Sequence, residues 1–401
     1  MTHSLKKERL YVIILAAIQI VHVLDFVIIM PLGPRFMRVF NISPSEFSTL
    51  VAAYTFSAGI AGFIGALYAD HFDRKKFLLF NFIGFIVGTF MCAMAGNFTS
   101  LLTARIVAGA FGGVLNACVL AIVADLIPFE RRGAAMGAVM SAFSIASVVG
   151  VPIGLYIAQV FDWNAAFYFI CIVGIFFWLL TASILPSIKV RTNTLTIKEN
   201  LQNFKLILIQ KDYLQSFLLT SFLGFGIFMI VPFISPYMVG NVGLTEAQLP
   251  YIYLAGGTCT VITARLIGKA CDKIGNFKVF RAVTIISIIP TLLLTNLPQV
   301  PLALALCCTS FFMMAGSGRF IPAMTILSAV VKPKERGTFM SLENAARQLS
   351  SGFASQLAGF IIGAGAAGSL TNYNIVGYVG ISMTLIAIFI AYRIKIKFNL
   401  R

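Results

Sequence analysis

The sequence consists of long apolar stretches separated by short polar connections that carry lysine and arginine. A helix needs about 20 apolar residues to cross the hydrocarbon core of a bilayer. Inside that core the backbone must satisfy its own hydrogen bonds, and an α-helix does so within one segment. A transmembrane β-barrel would instead show short stretches in which apolar and polar residues alternate. The pattern therefore predicts an all-α membrane protein.

Twelve stretches are long enough to be spans. The mean hydropathy is +0.92 and only 11% of the residues are charged, whereas a soluble domain carries about 25% charged residues. The first stretch is too long for the core of a signal peptide, so we expect it to remain as the first span. The predicted spans are 10–31, 44–69, 77–97, 100–127, 133–159, 164–186, 212–239, 246–269, 278–296, 301–330, 337–365 and 373–393.

The basic residues are distributed unequally between the two sides of the predicted membrane. Connections on the side of the N-terminus contain 24 of the 30 lysines and arginines, whereas those on the other side contain only Arg35 and Arg38. Cytoplasmic loops are enriched in these residues. We therefore predict a multi-pass protein of the cell (inner) membrane with both termini in the cytoplasm. The same distribution accounts for the net charge of +16 without a nucleic-acid partner.

The two halves of the chain repeat each other. The longest polar connection, 187–211, separates a predicted bundle of six helices at 1–186 from a second one at 212–401. Aspartate-containing motifs follow the second and eighth spans, and Pro-x-Glu-Arg or Pro-Lys-Glu-Arg motifs follow the fourth and tenth, at Asp70, Asp272, Pro128 and Pro333. Transporters are often built from such repeats, with the substrate site between them.

Several short motifs occur in order along the chain. The connection after the second span contains Asp70, Arg74 and Lys75, although Asp73 replaces a glycine of the pattern Gly-x-Leu-Ala-Asp-Arg-x-Gly-Arg-Lys. The fourth span contains Arg-x-x-x-Gly, and Asp-x-x-Pro-x-x-x-Arg-Gly follows it. The fifth contains Gly-Val-Pro-Ile-Gly, which has one more residue between glycine and proline than Gly-Pro-x-x-Gly. These motifs are formed by Arg105, Gly109, Asp125, Pro128, Arg132, Gly133, Gly150, Val151, Pro152, Ile153 and Gly154.

Together these motifs resemble the major facilitator superfamily, and within it the drug/proton antiporter branch with twelve spans. The resemblance implies two pseudo-symmetric bundles of six helices and transport by alternating access. It also implies a latch of charged residues at the cytoplasmic helix ends, although Asp70 alone is also consistent with a helix terminus. The implied latch residues are Asp70, Arg74, Lys75, Asp125, Asp272 and Arg336, and the implied conformational residues are Gly109, Gly150, Pro152 and Gly154.

Charged residues within the spans of the first half suggest a site for a proton. A charged side chain at the centre of a span costs about 2.5–3.5 kcal/mol, so Asp25 and Arg105 must face protein or a wet cavity. Gln19, His22 and Asp25 recur at helical spacing and form one stripe. Arg105 shares a face with Asn116 and lies at the depth of Asp25. We hypothesise that Asp25 carries a proton, that Arg105 controls it and that His22 assists; a permanent pair that docks two helices is the alternative.

Charged residues in the second half suggest a site for an anion. Glu343 and Arg347 are four residues apart, a favourable spacing for an ion pair on a helix, and we expect Arg319 at a similar depth. One acid against two guanidinium groups leaves a positive charge for a carboxylate or phosphate; a purely structural cluster is the alternative. The predicted substrate cavity consists of Gln19, Asn116, Arg319, Glu343, Arg347 and Gln348.

The remaining sequence argues against other classes of function. His3, His22 and His71 are the only histidines, and the chain shows neither a nucleophile constellation, nor metal-ligand spacing, nor a phosphate-binding loop. We therefore predict no enzyme, cofactor or metal, but a monomeric, proton-coupled efflux antiporter that binds a small solute, protons and the lipid bilayer. An uptake symporter for an anionic or polar metabolite, a sensor with a transporter fold and a channel are the alternatives.

Overall fold

The computed structural model describes residues 2–68, 71–188, 197–332 and 335–398. The chain forms two compact units. Unit 1 comprises Met1–Ile29 and Ala53–Gln202, and unit 2 comprises Met30–Ala52 and Asn203–Arg401. Nearly all of the described chain is helical, which agrees with the all-α fold that the apolar stretches predicted.

The helices of the first half begin and end close to the predicted spans. The polar connection between the halves contains a helix that we had not predicted, α10. A π-helical turn at Ala146–Gly150 separates α7 from α8. The helices are α1 (Thr2–Ile28), α2 (Gly33–Val39), α3 (Pro44–Tyr68), α4 (Arg74–Ala93), α5 (Phe98–Leu126), α6 (Phe129–Met140), α7 (Ala142–Ile145), α8 (Val151–Val160), α9 (Trp163–Ile184) and α10 (Ile197–Ile209).

The second half contains several spans that are interrupted. Short 3₁₀ turns lie at Val231–Phe233, Glu246–Gln248 and Ala366–Gly368. A two-stranded antiparallel hairpin, β1 (Gly363–Ala364) and β2 (Leu370–Thr371), connects the last two long helices. The helices are α11 (Lys211–Phe228), α12 (Ile234–Gly240), α13 (Leu249–Ile274), α14 (Asn276–Ile286), α15 (Ile288–Thr295), α16 (Leu302–Gly318), α17 (Phe320–Val330), α18 (Arg336–Ile361) and α19 (Tyr373–Phe398).

Ten helical stretches of the described chain are long and apolar enough to cross a membrane. The other two predicted spans correspond to α13 and α18, which have 26 residues each but contain more polar residues. Their polar residues include Arg265 and Lys269 in α13, and Glu343 and Arg347 in α18. With these two helices the described chain has the twelve spans that the sequence predicted.

The outward face of α9 shows why the chain needs a bilayer. Ile172, Phe176 and Leu179 recur at helical spacing and are 68%, 56% and 56% exposed. Soluble proteins rarely leave such a continuous apolar surface in contact with water. These side chains therefore face lipid, while the opposite face of α9 buries Phe167, Ile170 and Gly174.

Close helix packing inside unit 1 depends on glycine. A Cβ atom on Gly113 of α5 would lie 2.1 Å from the backbone oxygen of Ala58 in α3, and one on Gly88 of α4 would lie 2.5 Å from the backbone nitrogen of Ala108 in α5. Small residues are common where membrane helices approach closely, because lipid supplies no hydrophobic force between helices. This contact surface holds the charged residues of α5 close to their neighbours.

Candidate functional site

The innermost charges of unit 1 form an ion pair between α1 and α5. Asp25 and Arg105 are both completely buried. Nη1 of Arg105 lies 3.1 Å from Oδ2 of Asp25, and it also donates to the backbone oxygen of Asp25 at 3.3 Å. The contact that the sequence predicted from the depth of the two residues is therefore present.

Thr89 of α4 completes the surroundings of the carboxylate. Its hydroxyl lies 3.1 Å from Oδ1 of Asp25 and 3.0 Å from the backbone oxygen of Phe85. A hydroxyl has one proton to donate and two lone pairs with which to accept. Thr89 can therefore donate to an ionised Asp25. It can equally donate to Phe85 and accept a hydrogen bond from a protonated Asp25.

Tyr54 of α3 covers the guanidinium group. Cζ of Arg105 lies 4.3 Å from the centre of the Tyr54 ring, which is within the range of a cation–π interaction. Nε and Nη2 of Arg105 are buried, and neither has a hydrogen-bond partner within the described part of the chain. Asp25 and Tyr54 thus engage only part of the guanidinium group, and two of its three nitrogens lack an acceptor.

Two glycines of α5 make room for these rings. A Cβ atom on Gly109 would lie 2.2 Å from Oγ of Ser57 and 2.4 Å from the backbone oxygen of Tyr54. A Cβ atom on Gly112 would lie 2.6 Å from the Tyr54 hydroxyl and 3.1 Å from Nε2 of His22. Glycine at both positions allows Tyr54 to lie against α5. Gly109, which we predicted to be a conformational residue, therefore acts first as a packing residue.

The other members of the predicted polar stripe form no hydrogen bond with Asp25 in the part of the chain that the structure describes. The His22 ring lies between Phe85 and Tyr54, with ring centres 5.7 and 6.5 Å away. Both its nitrogens, and Oε1 of Gln19, are buried and have no hydrogen-bond partner in the described ranges. Asn116 is half-buried on α5. His22 and Gln19 thus provide buried polar atoms on the same helix as Asp25.

The fifth span packs against the part of α1 that carries Asp25. Cβ atoms on Gly150 and Gly154 would lie 3.0 Å from Leu24 and 2.9 Å from Ile28, respectively. The π-helical turn ends at Gly150, and Pro152 follows in the first turn of α8. A π turn has one more residue per hydrogen-bonded ring than an α turn, and such turns are frequent at functional sites. The three predicted conformational residues of this span therefore lie where it contacts α1.

Two of the predicted latch residues form an ion pair in unit 1. Nε of Arg74, the first residue of α4, lies 3.1 Å from Oδ2 of Asp125 near the end of α5. Lys75 contacts a different group. Its ammonium group donates to the backbone oxygen of Ala182 at 2.7 Å. Ala182 lies in the last turn of α9, where backbone oxygens lack helical partners and attract a cation.

The remaining predicted latch residues are Asp70, Asp272 and Arg336. Asp70 lies outside the described residues, and so does the side chain of Arg336. Asp272 is exposed near the end of α13. Asp73, the departure from the motif, caps α4: it accepts hydrogen bonds from the Ser187 hydroxyl and the Lys76 amide. Partial burial by itself would raise the pKa of Asp73, but these hydrogen bonds hold it below its ordinary value.

Arg319 lies in unit 2 at the interruption between α16 and α17. It is only 4% exposed. Its Nη1 donates to the hydroxyls of Thr384 in α19, at 2.9 Å, and Ser287 between α14 and α15, at 3.3 Å. We expected Arg319 to lie at a depth similar to that of Glu343 and Arg347. No hydrogen bond or ion pair of the described chain connects Arg319 to these two residues, because Arg319 packs toward the ninth and twelfth spans rather than toward α18.

Glu343 and Arg347 pair within α18, as their spacing predicted. Nε of Arg347 lies 3.4 Å from Oε1 of Glu343, although the geometry does not make this contact a hydrogen bond. Nη2 of Arg347 donates to Oδ1 of Asn344 at 2.7 Å. The Arg347 side chain is 29% exposed, whereas that of Glu343 is 4% exposed. Gln348 is half-buried beside them.

Four residues that contact the buried charges were not predicted from the sequence: Tyr54, Thr89, Ser287 and Thr384. Three of them are hydroxyl residues that also bond to the backbone of their own helices. Such bonds are common in spans, so the residue type alone carries no signal. The proline three residues after Ser287, Pro290, was the one available indication that the helix is interrupted there.

Comparison with known proteins identifies the family of this chain. The sequence model of the Major Facilitator Superfamily matches residues 15–355, with a second match over 216–397. The chain belongs to this superfamily. It is thus a multi-pass membrane transporter of small molecules, and the prediction that it is not an enzyme is confirmed by the family.

Individual relatives agree with this assignment. The uncharacterised transporter YceJ of Bacillus subtilis, also of this superfamily, is 25% identical over 365 residues, which are 90% of this chain and 91% of that protein. A bicyclomycin resistance protein homologue of Haemophilus influenzae is 26% identical over 60% of this chain and 62% of its own length. A crystal structure of a bacterial homologue of the human lysosomal transporter Spinster has a TM-score of 0.76 at 14% identity and covers 98% of both chains. The last comparison supports the fold alone.

Proposed function

We propose that this transporter couples the movement of its solute to protons, that it works as an efflux antiporter by alternating access, and that Asp25 carries the proton. The proposal depends on the two oxygen atoms that the Thr89 hydroxyl can reach. This hydroxyl can turn between Oδ1 of Asp25 and the backbone oxygen of Phe85. The site therefore offers a hydrogen bond to the carboxylate and to the carboxylic acid alike, which a purely structural ion pair does not require.

The two protonation states would differ in how firmly α1 is joined to α5. When Asp25 is ionised, Arg105 attracts it and Thr89 donates to it. When Asp25 takes up a proton, the attraction to Arg105 is lost, whereas the guanidinium group keeps the Tyr54 ring as a partner. Loading and unloading of the proton would thereby change the contact between two helices of unit 1, because a charged interaction in a low-dielectric interior is strong.

Two observations support the proposal that the solute is exported: one is a relative of this chain and the other is the packing of the fifth span. The bicyclomycin resistance homologue supports export of a solute from the cell. The Gly150 and Gly154 contacts to α1 place the antiporter-like motif directly against the helix that carries Asp25. We further propose that Arg74 and Asp125, which lie 3.1 Å apart, form a cytoplasmic latch that opens and closes during transport.

Proton release from everted membrane vesicles tests the proposal. A pH gradient is established and followed with a pH-sensitive fluorescent dye, and bicyclomycin and a panel of neutral, cationic and carboxylate compounds are added in turn. We expect at least one compound to release protons from vesicles with the wild-type protein and to release none with Asp25→Asn. Thr89→Ala should slow the release, because one state of Asp25 loses its hydrogen bond.

Glu8→Gln provides the control for this experiment. Glu8 lies on the same helix but pairs with Arg131 at 3.1 Å, and the side chain of Arg131 is 48% exposed, so this variant should release protons at the wild-type rate. Undiminished proton release in Asp25→Asn would contradict the proposed role of the acid. Comparable protein levels in the vesicles must be shown by immunoblot.

A further inference from the structure

Unit 2 contains a buried cation that pairs with no carboxylate of the described residues. Arg319 is 4% exposed, and its hydrogen bonds within the described chain come only from Nη1, to Ser287 and Thr384. Nε is buried without a hydrogen-bond partner. An arginine side chain cannot lose its proton in a protein, so its positive charge remains inside the bundle. A charge buried within a membrane span is costly unless it has a partner.

The two hydroxyls next to Arg319 are neutral acceptors. The Ser287 hydroxyl donates to the backbone oxygen of Thr284 at 2.7 Å, and the Thr384 hydroxyl donates to that of Gly380 at 2.8 Å. Both protons are therefore in use, and each oxygen accepts from Nη1. The hydroxyls orient the guanidinium group but leave its charge uncompensated.

The unused edge of the guanidinium group has a specific geometry. With Nη1 held by the two hydroxyls, Nε and Nη2 remain, and their N–H groups point in parallel from one edge of the planar group. This is a geometry in which arginine binds both oxygens of a carboxylate. A simple structural role for Arg319 would need only the contacts of Nη1, and a neutral glutamine side chain could provide those.

The first half of the chain has an acid at the position that corresponds to Gly226 in the second half. Asp25 precedes Pro31 by six residues in the first span, and Gly226 precedes Pro232 by six residues in the seventh. A Cβ atom on Gly226 would lie 2.7 Å from Oγ1 of Thr384, which is the hydroxyl that accepts from Arg319. Positions 25 and 226 correspond in this comparison, with an acid in the first half and a glycine in the second. Among the described residues, no carboxylate pairs with Arg319.

Two prolines help to form the site. Pro290 and Pro322 lack an N–H group, so the backbone oxygens of Ile286 and Gly318 lose their partners four residues on. The helices are interrupted at the next residues, which are Ser287 and Arg319. Interrupted helices are typical of substrate sites in transporters.

We propose that the Nε–Nη2 edge of Arg319 is a binding site for the carboxylate group of a small organic acid that this transporter carries. This inference rests on the proposed transport function and specifies the class of substrate. The ligand supplies the negative charge that Gly226 does not. Because Arg319 is buried, the acid reaches it only when the surrounding helices separate, as alternating access requires.

Ligand-induced thermal stabilisation of the purified protein in detergent tests this site without a proton gradient. The probes are benzoate, acetate, the neutral isostere benzamide and inorganic phosphate, at constant chloride. We expect benzoate or acetate to raise the apparent melting temperature of the wild-type protein in a saturable manner, and benzamide to have no effect. The apparent Kd should increase at least tenfold in Arg319→Gln, whereas Arg281→Gln, a change to an exposed arginine of the same unit, should keep the wild-type value.

Ser287→Asp provides a second variant should Arg319→Gln fail to fold. It keeps the arginine but places a carboxylate beside Nη1, so it should abolish stabilisation by benzoate and acetate through internal neutralisation. The proposal is overturned if neither carboxylate stabilises the wild-type protein, if benzamide acts equally, or if Arg319→Gln and Ser287→Asp respond like the wild type. Preferential binding of phosphate would overturn the assignment to a carboxylate.

The outcome is independent of the proton-coupling proposal. Asp25→Asn should still bind the carboxylate probes, because Asp25 lies in unit 1 and Arg319 in unit 2. Loss of proton release together with retained benzoate binding supports both proposals. Retained proton release in Asp25→Asn, with benzoate binding that depends on Arg319, would remove the first proposal and leave the carboxylate site in place.

Discussion

Two buried arginines of this transporter differ in how their charge is compensated. Arg105 has Asp25 at 3.1 Å and the ring of Tyr54 over its guanidinium group, whereas the partners of Arg319 among the described residues are two hydroxyls. Removing one partner of a buried ion pair is costly because it leaves an uncompensated charge, while replacing both partners is often nearly neutral. The stability of the two sites should therefore respond differently to mutation.

Asp25→Asn should lower the stability of the protein more than the double variant Asp25→Asn/Arg105→Gln does. The single change leaves an arginine charged and unpaired in the interior, at a cost of about 3–5 kcal/mol in soluble proteins. The double change removes that charge. Apparent melting temperatures in detergent measure the difference, with Glu8→Gln as the surface control. A double variant that melts below Asp25→Asn would show that Arg105 is held by contacts other than the acid.

For individual residues, the sequence predicted the buried charged side chains better than the side chains that contact them. Asp25 and Arg105 were found because charges within spans are costly and because a residue's depth follows from its distance to the start of the helix. Thr89 was not found, because its hydroxyl also bonds to its own helix and its residue type is unremarkable in a span. The partner of Lys75 was not predicted, because the sequence does not show that the end of α9 lies beside it.

At the scale of helices, hydropathy predicted the spans but not their interruptions. Residues 278–296 and 301–330 were each predicted as one span, yet the structure interrupts them at Ser287 and Arg319. Apolar residues continue on both sides of each interruption, so hydropathy averaged over a whole span does not detect it. The extra residue of the fifth-span motif also accompanies an interruption that hydropathy does not reveal. Val151 directly follows the π-helical turn, which accommodates one more residue than an α-helical turn.

The glycine contacts between helices allow a matched prediction. Gly113→Ala should lower the apparent melting temperature and slow transport, because the new Cβ atom would lie 2.1 Å from a backbone oxygen of α3 and the helices must move apart. Gly137→Ala places its Cβ where no atom lies within 4 Å. That variant should be neutral or more stable, by about 0.5–1 kcal/mol, because alanine is the better helix former.

Thermal unfolding of the two glycine variants, prepared side by side in the same detergent, measures this difference. Both substitutions add one methyl group to a helical glycine, so intrinsic helix propensity favours each equally. Only the contact with α3 distinguishes them. Equal melting temperatures would mean that α3 and α5 can separate at little cost, and that close packing at Gly113 does not hold Tyr54 against Arg105.

At the scale of the whole molecule, the distribution of charge predicts the orientation in the membrane. Lysine and arginine are concentrated in the connections on one side, and the opposite side has only Arg35 and Arg38. Each such residue in a short loop opposes translocation, so the side that is rich in them stays in the cytoplasm. The twelve spans then place both termini on that side, which we propose for this transporter.

Two single cysteines, each introduced into a variant whose seven native cysteines are replaced by serine, test this orientation. Gln299 lies in the connection between α15 and α16, and Lys273 lies near the end of α13; both are exposed. In intact cells a membrane-impermeant maleimide should label Gln299→Cys, because the predicted topology assigns that connection to the outside. It should label Lys273→Cys only after the membrane is permeabilised. The reverse labelling would invert the topology, and with it the assignment of Arg74 and Asp125 to a cytoplasmic latch, since the predicted topology assigns both of these residues and Lys273 to the cytoplasmic side.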